Sequence, residues 1–233
     1  MELEKFGVTS DKKQIIGRAE KGKLAPYYKR GEMENTSLDA PVLLYVDDPV
    51  DVFILHIQGS GRVETPDGVV RIGYAANNGH AFVGIGGLMR EEGVLEPGKT
   101  SMPHIREWLK KNPQKAQDIM RMNPRYIFFR ILDGNLSGPL GAAGVPLTAE
   151  RSLAVDTTYI PLNTPLFLNT TNANGKKINK LVVAQDIGSA IKGPIRGDYF
   201  WGYGEEAFQE AGRMKSTGSY ILLWPRGAVP PVK

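Results

Sequence analysis

Residues 183–204 read VAQDIGSAIKGPIRGDYFWGYG and form the densest cluster of chemically useful side chains in the sequence. The apolar residues before Asp186 predict a buried β-strand that ends at this aspartate. A loop with repeated glycines follows, where the backbone can approach a ligand closely, and it holds a second carboxylate at Asp198. The stretch therefore predicts a ligand-binding loop at the end of a buried strand.

Acidic and aromatic residues share this loop, which is typical of a carbohydrate site. Aromatic rings stack on sugar faces, and a carboxylic acid can protonate a glycosidic oxygen. Asp198 lies within the loop and is the better candidate for the acid, whereas Asp186 is expected to accept backbone N–H groups and hold the loop's shape. The alternative stays open that Asp186 caps a turn and that the aromatic residues belong to the core. In that case Asp198 pairs with Arg196 or Lys192.

Strand-rich sequence surrounds this loop. Strands are predicted at residues 152–155, 165–169, 180–185 and 220–224, with a hairpin turn at 172–175 and one helix at 205–211. The 27 glycines and 16 prolines also favour a turn-rich, strand-heavy architecture, because both residue types interrupt helices. The C-terminal half is therefore predicted to be a small all-β unit with one helix.

The N-terminal half is predicted to be a separate domain, because residues 133–146 are mostly Gly, Pro, Ala, Ser and Asn and mark a boundary. Residues 52–57 form an apolar run rich in β-branched residues and predict a buried strand. A hairpin with its turn at Pro66-Asp67-Gly68, three helices and a strand at 126–129 follow. Asp47-Asp48-Pro49 is interpreted as a helix cap rather than a metal-binding loop.

Several classes of protein are excluded by composition. The 233 residues contain no cysteine, which excludes disulfides, thiolate nucleophiles and Cys-ligated metals. His56, His80 and His104 are far apart in the sequence, so we predict neither a metal site nor a cofactor. The net charge of +4 is spread along the chain and phosphate-binding glycine motifs are absent, so no nucleic-acid partner is expected. No apolar run reaches the roughly 20 residues of a membrane span.

The loop resembles the membrane-bound lytic murein transglycosylase A family, as do four segments upstream of it. The matching segments, in family order, are VDDPVDVFILHIQGSGRV (46–63), RIGYAANNGH (71–80), SMPHIREWL (101–109), VPLTAERSLAVDTTYIPLNTPLFL (145–168) and AQDIGSAIKGPIRGDYFWGYG (184–204). The resemblance implies a mainly β fold, in which a double-psi β-barrel domain carries an inserted, β-rich second domain with a few helices. A groove between the two domains is expected to bind glycan strands.

The resemblance also implies an activity, cleavage of the β-1,4 bond between N-acetylmuramic acid and N-acetylglucosamine in peptidoglycan. The product is expected to be a 1,6-anhydro sugar, formed by internal attack instead of by water. The family's single catalytic acid falls on Asp198, and its supporting aspartate falls on Asp186. Because a general acid must carry a proton, we expect the neighbouring cations Lys192 and Arg196 to point toward Asp186 or the substrate.

Substrate-binding residues are expected from both domains. They are Gln58, Gly59, Ser60, Tyr74, Asn77, Asn78 and His80 in the first half of the chain, and Asp156, Lys192, Tyr199 and Trp201 in the second. A β-bulge at residues 58–61 and an Asx turn at Asp156 are the structural alternatives.

The resemblance assigns residues 1–29 and 135–233 to the barrel and residues 30–134 to the inserted domain. We expect the N-terminal part of the barrel to be truncated in this chain. The family's secretion signal and lipid-modified cysteine are not found in the sequence. Full-length members are expected in the periplasm, attached to the outer membrane only through that lipid anchor. The expected partners are peptidoglycan glycan strands and proteins of the cell-wall machinery.

Two other functions remain open. An inverting hydrolase would use Asp186 and Asp198 as a base and acid pair and release reducing ends. A non-catalytic module would bind glycan without releasing soluble products.

Overall fold

The computed structural model describes residues 15–36, 38 and 40–229, which divide into two compact units. The first comprises the described residues of Met1–Thr100 together with His104–Gly134, and the second comprises Ser101–Pro103 and the described residues of Asn135–Lys233. Both units contain β-sheets and helices, which confirms the mainly β class with some helices.

Residues 15–29 lie in the first unit, whereas the sequence analysis grouped them with the C-terminal half. The physical reason is hydrogen bonding, because the backbone carbonyl of Tyr27 contacts Nε2 of His80 at 2.8 Å and that of Tyr28 accepts from Nδ2 of Asn78 at 2.9 Å. The division between Gly134 and Asn135 falls inside the Gly- and Pro-rich stretch 133–146.

The first unit contains two small antiparallel sheets. Its strands are β1 (Gly17–Glu20), β2 (Lys23–Pro26), β3 (Ser60–Thr65), β4 (Gly68–Asn77) and β5 (Ile127–Ile131), paired as β1-β2 and β3-β4-β5. The helices up to residue 121 are α1 (Arg30–Met33), α2 (Pro49–Gln58), α3 (Ile85–Glu91), α4 (Met102–Lys111) and α5 (Pro113–Arg121), and the first two residues of α4 belong to the second unit. The predicted hairpin, the three predicted helices and the strand near residue 127 are therefore confirmed.

Helix α2 overturns the prediction of a buried strand at residues 52–57. The side chain of Asp48 caps this helix by accepting from the backbone N–H groups of Val50 at 2.8 Å and Asp51 at 3.3 Å, and Pro49 occupies the first helical position. Gly59 ends the helix in the left-handed region with φ of 79°. The predicted cap is thus confirmed, and the cap is the local signal that outweighs the β-branched composition of the run.

The second unit contains one five-stranded sheet. Its elements are β6 (Ser152–Val155), β7 (Pro165–Thr171), β8 (Lys177–Asp186), β9 (Gly197–Tyr199), α6 (Glu205–Arg213) and β10 (Ser219–Leu222). The strand order is β10-β7-β8-β6-β9, and only the β6-β8 pair is parallel. The predicted strands and helix of this half are confirmed, because alternating side chains such as Leu166, Leu168 and Val182 enter one apolar core.

The sheet of the second unit is curved. The hydroxyl of Tyr220 on edge strand β10 lies against Gly197 on the opposite edge strand β9. Five strands laid flat would separate those edges by roughly 19 Å, since adjacent strands lie about 4.8 Å apart. The contact therefore requires the sheet to coil until its two edges approach.

Among the described residues, we find no helix that is both long enough and apolar enough to cross a bilayer.

Candidate active site

Strand β6, which lies between β8 and edge strand β9, pairs with both strands that carry the aspartates. Ala154 pairs with Asp186 on β8 on one side and with Asp198 on β9 on the other. The preceding row, in which Leu153 pairs with Ala184 and Tyr199, belongs to the core. Because successive residues of a strand face opposite sides, Ala154 and Asp198 face away from that core. The pairing of β6 with β8 has a register shift between Leu153 and Ala154, and this irregularity places Asp186 opposite Ala154. The two aspartates lie two strands apart, with Cα atoms separated by roughly 10 Å.

Asp186 is held in place by a turn at residues 141–144. Its Oδ1 accepts from the backbone N–H of Ala142 at 3.0 Å, and the carbonyl of Gln185 accepts from the N–H of Ala143 at 3.0 Å. Burial raises the pKa of Asp186, and the N–H groups of Ala142 and Ile187 oppose that shift only in part. The expectation that Asp186 accepts backbone N–H groups is confirmed.

Asp198 projects into solvent from the edge strand. Its Oδ1 lies 3.3 Å from Nη2 of Arg196, and the two side chains are 58% and 57% exposed. Residues 196 and 198 are two apart in extended chain, so their side chains leave the backbone on the same side. Arg196 therefore pairs with Asp198 and not with Asp186 in this structure, and the expectation that it points toward the substrate stays a prediction. An exposed pair of this kind contributes only about 0–1 kcal/mol, so a ligand can displace it.

Asp156 connects the loop to the end of β6. This buried side chain accepts from the N–H of Thr158 at 3.0 Å and from the N–H of Gly193 at 2.9 Å. The hydrogen bond from Gly193 makes the largest contribution to lowering the pKa of Asp156. The hydrogen bond from Thr158 and the positive charge of Lys192 lower this pKa further. The bond to Thr158 confirms the Asx turn. The negative charge of Asp156 therefore attracts Lys192. The hydrogen bond from Gly193 to Asp156 also fixes the loop that precedes Asp198.

We predict that Asp156→Asn loosens this loop in a pH-dependent way. The folded-state pKa is lowered, so the carboxylate's stabilisation is present above its ordinary pKa of about 3.9 and is lost as pH falls through the lower folded value. Thermal unfolding followed by circular dichroism should show a lower Tm for Asp156→Asn at pH 7, with the difference shrinking near pH 3. Asp118→Asn, at a side chain that is 83% exposed, is the matched control. Equal effects of both substitutions would contradict the assigned role.

The aromatic residues of the loop occupy different environments. Tyr199 is 9% exposed, donates its hydroxyl hydrogen to the carbonyl of Glu150 at 3.0 Å and packs edge-to-face on Trp201 at 5.1 Å. Trp201 is half-buried against the same core. In the second unit, Tyr199 and Trp201 therefore pack in or against the core, which agrees with the alternative that the aromatic residues belong to the core. Tyr203 is 67% exposed and is the better stacking surface, although the sequence analysis did not select it.

Tyr220 is a second residue that the sequence analysis missed. Burial raises the pKa of its hydroxyl, the negative charge of Asp198 raises it further, and Arg196 opposes the shift. The phenol therefore lies close to the Asp198–Arg196 pair. No local signal in the sequence connects β10 with β9, since only the curvature of the sheet brings their side chains together.

In the first unit, the structure brings most of the predicted substrate-binding residues to one end of the β3-β4 hairpin. Gln58 is exposed at the end of α2, and Ser60 begins β3 opposite Gly73, the neighbour of Tyr74. Nδ2 of Asn77 donates to the hydroxyl of Tyr74 at 2.6 Å. The pairing of β3 with β4 is regular from residue 60 onward, so the β-bulge alternative is wrong.

His80 and Asn78 contribute to packing in this unit. Asn78 is 1% exposed; its Nδ2 donates to the carbonyls of Tyr28 and Pro124, and its Oδ1 accepts from the N–H of Tyr126 at 2.9 Å. Its predicted place in a groove is therefore wrong. His80 is half-buried, and its Nε2 lies 2.8 Å from the carbonyl of Tyr27.

The predicted site residues thus form two sets in different units, one around the β3-β4 hairpin and one around β6, β8 and β9. Within the described part of the chain, no group of three or more acidic or histidine side chains has the arrangement of a metal site.

Two family models match the chain. The "MltA specific insert domain" model matches residues 1–130, and the "3D domain" model matches residues 151–224.

Curated relatives and solved structures carry consistent names. Membrane-bound lytic murein transglycosylase A of Escherichia coli (strain K12) is 34% identical over 194 residues, which are 79% of this chain and 52% of that protein. The crystal structure of MltA from Neisseria gonorrhoeae, monoclinic form, gives a TM-score of 0.86 at 46% identity, covering 98% of this chain and 60% of that one. Escherichia coli MltA with bound chitohexaose gives a TM-score of 0.77 at 30% identity, with coverages of 85% and 62%. The chain therefore spans about half the length of the curated relatives it matches.

Proposed function

Because this chain belongs to the membrane-bound lytic murein transglycosylase A family, we propose that it cleaves the glycan strands of peptidoglycan as a lytic transglycosylase. The observation that supports this most directly is the pair of aspartates on either side of Ala154. One carboxyl is exposed and the other is held by backbone N–H groups, so the two groups are suited to different tasks.

In the proposed mechanism, Asp198 is the general acid. Its carboxyl donates a proton to the oxygen of the β-1,4 bond between N-acetylmuramic acid and N-acetylglucosamine, and that C–O bond breaks. The resulting carboxylate then removes the proton from the C6 hydroxyl of the muramic acid residue, whose oxygen bonds to C1. The products are a 1,6-anhydro-muramic end and a free 4-hydroxyl, so water is not consumed and Asp198 ends protonated.

Asp186 is proposed to support this step without exchanging protons with the substrate. The hydrogen bond from Ala142 holds its carboxyl in place at the end of β8, where negative charge stabilises an oxocarbenium-like transition state. Lys192 and Arg196 are proposed to bind polar groups of the glycan once it displaces the exposed Arg196–Asp198 contact.

We propose that the five-stranded sheet is the part of a double-psi β-barrel that the described residues contain. The approach of Tyr220 to Gly197 across the edges of the sheet supports this interpretation. The assignment of residues 30–134 to an inserted domain follows from the same family resemblance.

Gln58, Gly59, Ser60, Tyr74, Asn77 and His80 are proposed to bind the glycan. The bound chitohexaose of the Escherichia coli relative indicates that this family accommodates a β-1,4-linked amino-sugar chain.

We predict that Gln58→Ala weakens glycan binding about three- to tenfold, because a neutral hydrogen bond contributes about 0.5–1.5 kcal/mol. Isothermal titration with chitohexaose measures this, and Gln117→Ala is the matched control on α5. Unchanged affinity of Gln58→Ala would remove Gln58 from the site.

The proposed location is the periplasm at the outer membrane, in keeping with relatives that are named membrane-bound. Glycan strands are the proposed partner, and other cell-wall proteins are a further proposed class.

One observation favours a second function, that of an inverting hydrolase. The raised pKa of Asp186 suits a proton donor. This reverses the roles expected from the sequence, because Asp198 would then be the base that activates water. Digestion of purified peptidoglycan followed by mass spectrometry separates the two functions. Transglycosylase products carry anhydro ends and are lighter by one water than the reducing ends of a hydrolase. Binding to peptidoglycan without soluble products would support a non-catalytic glycan-binding module instead.

A further inference from the structure

The first unit contains a cavity of about 760 Å³ that the proposed reaction does not use. Its walls come from α1, α2, α4 and α5 together with Tyr126. Cavities of about 300–1,000 Å³ are typical of small-molecule sites. The apolar part of the wall includes Val50, Phe53, Leu109 and Met120.

A buried cation borders this cavity. Arg30 is 4% exposed; its Nε donates to the carbonyl of Asn123 at 3.2 Å and its Nη2 donates to that of Arg125 at 2.7 Å. Among the described residues, no carboxylate oxygen lies within 4.0 Å of the guanidinium nitrogens, and Nη1 makes no hydrogen bond. A buried charge without a counter-ion is costly, so this guanidinium favours an anion in the cavity.

A buried histidine supplies a second donor. His56 is 7% exposed, and its Nδ1 accepts from the backbone N–H of Ile127 at 3.0 Å. Burial, helped by the charge of Arg30, lowers the pKa of His56 to about 3, so the ring is neutral. The single ring proton is therefore on Nε2, which has no partner among the described residues.

The two donors converge on one aromatic ring. The centroid of the His56 ring lies 4.1 Å from that of Tyr126, and Cζ of Arg30 lies 5.3 Å from the same centroid. Arg30 and His56 therefore lie close together in the wall of the cavity, and the rest of the wall combines apolar residues with Glu34, Asp48, Lys110 and Gln117.

The carboxylates of the wall do not cancel this positive charge. Glu34 accepts from Nε of Arg121 at 2.7 Å, and Asp48 lies 2.5 Å from Nζ of Lys110. Each of these acidic groups already pairs with another cation. The charge of Glu34 also acts on Arg30, but among the described residues no carboxylate oxygen lies within 4.0 Å of the Arg30 guanidinium nitrogens.

We propose that this cavity binds a small organic anion, a carboxylate carried on an apolar body, with Arg30 and His56 as donors to the carboxylate. A guanidinium suits a carboxylate because its N–H groups match the two oxygens. The apolar wall holds the body of the ligand by excluding water.

The test compares three compounds with the same body, namely 4-phenylbutyrate, 4-phenylbutan-1-ol and 4-phenylbutylamine. Binding to the full chain is measured by ¹H–¹⁵N NMR titration, which also locates the site. We expect the carboxylate to bind at least about tenfold more tightly than the alcohol and the amine to bind weakest, with shifts centred on residues of α2 and α5. Equal binding of acid and alcohol, no binding of the acid, or shifts centred elsewhere would overturn the proposal.

Two variants complete the experiment. Arg30→Met should weaken 4-phenylbutyrate binding at least about tenfold and leave the alcohol unchanged, provided the variant folds. Val46 lines the cavity and is 39% exposed. A tryptophan at this position should occupy part of the cavity, so Val46→Trp should abolish binding of both compounds. Val42→Trp, at a 66% exposed position outside the cavity, is its control and should bind as the unchanged chain does. Unweakened binding by Val46→Trp would refute the assigned site even if Arg30→Met fails to fold.

Discussion

The substitution Asp198→Asn is expected to lower the rate of glycan cleavage by at least about 10²-fold, the lower end of general acid–base catalysis. Asparagine keeps the size of the side chain but cannot donate a carboxyl proton or accept one from the C6 hydroxyl. Asp198 is exposed on edge strand β9 and its side chain pairs with the exposed Arg196, so folding should survive. Release of soluble muropeptides from peptidoglycan measures the rate, and the Tm measures folding.

Asp186→Asn is the comparison for this prediction. Asp186 is held by the N–H of Ala142, so its substitution should lower the rate less selectively and should also lower the Tm. Equal loss of cleavage in both variants, together with reducing ends in the products, would support the hydrolase instead. An Asp198→Asn variant that cleaves at an undiminished rate would falsify the proposed role of Asp198.

Gly141→Ala is expected to lower both stability and cleavage. A Cβ at this buried position would overlap the backbone carbonyl of Gln185 and would lie 2.6 Å from Cδ2 of Leu147. The turn 141–144 would have to withdraw from β8, which breaks the hydrogen bond from Ala142 to Asp186. Overpacking of this kind costs about 1–3 kcal/mol, or several degrees in Tm for a chain of this length.

Gly134→Ala is the matched control, because a Cβ at this exposed glycine meets no atom within 4 Å. We expect its Tm and cleavage rate to equal those of the unchanged chain. A Gly141→Ala variant with unchanged Tm would show that the turn tolerates displacement. If Gly141→Ala lowers the cleavage rate but leaves the Tm unchanged, the substitution acts only through the position of Asp186 and not through the stability of the fold.

Local sequence signals predicted much of the secondary structure. The strand at 152–155, the hairpin at 62–74 and the helix that Asn112 and Pro113 open all depend on residues close together in the chain. Helix α2 shows where such signals compete, because β-branched residues favour a strand while the cap of Asp48 and the termination at Gly59 favour a helix. Its buried residues Val50, Phe53 and Ile54 have helical spacing, but this spacing is hard to recognise in a segment where nearly every residue is apolar.

The composition of the candidate site was also predictable, but the partners of its residues were not. Asp186 and Asp198 stood out because they flank a glycine-rich loop after a buried strand. The contact of Arg196 with Asp198 and the burial of Tyr199 depend on which side of each strand faces the core, and this is a property of the assembled sheet.

The sequence by itself determined the family, the class of fold and the loop that carries the two aspartates, since these depend on short motifs in a fixed order. Only the tertiary structure decided that Ala154 lies between the aspartates, that Tyr220 reaches Gly197 and that Arg30 and His56 border one cavity. These residues are far apart in the chain, and strand pairing, sheet curvature and helix packing bring them together. Such long-range arrangements depend on the whole core, so no local pattern of residues encodes them.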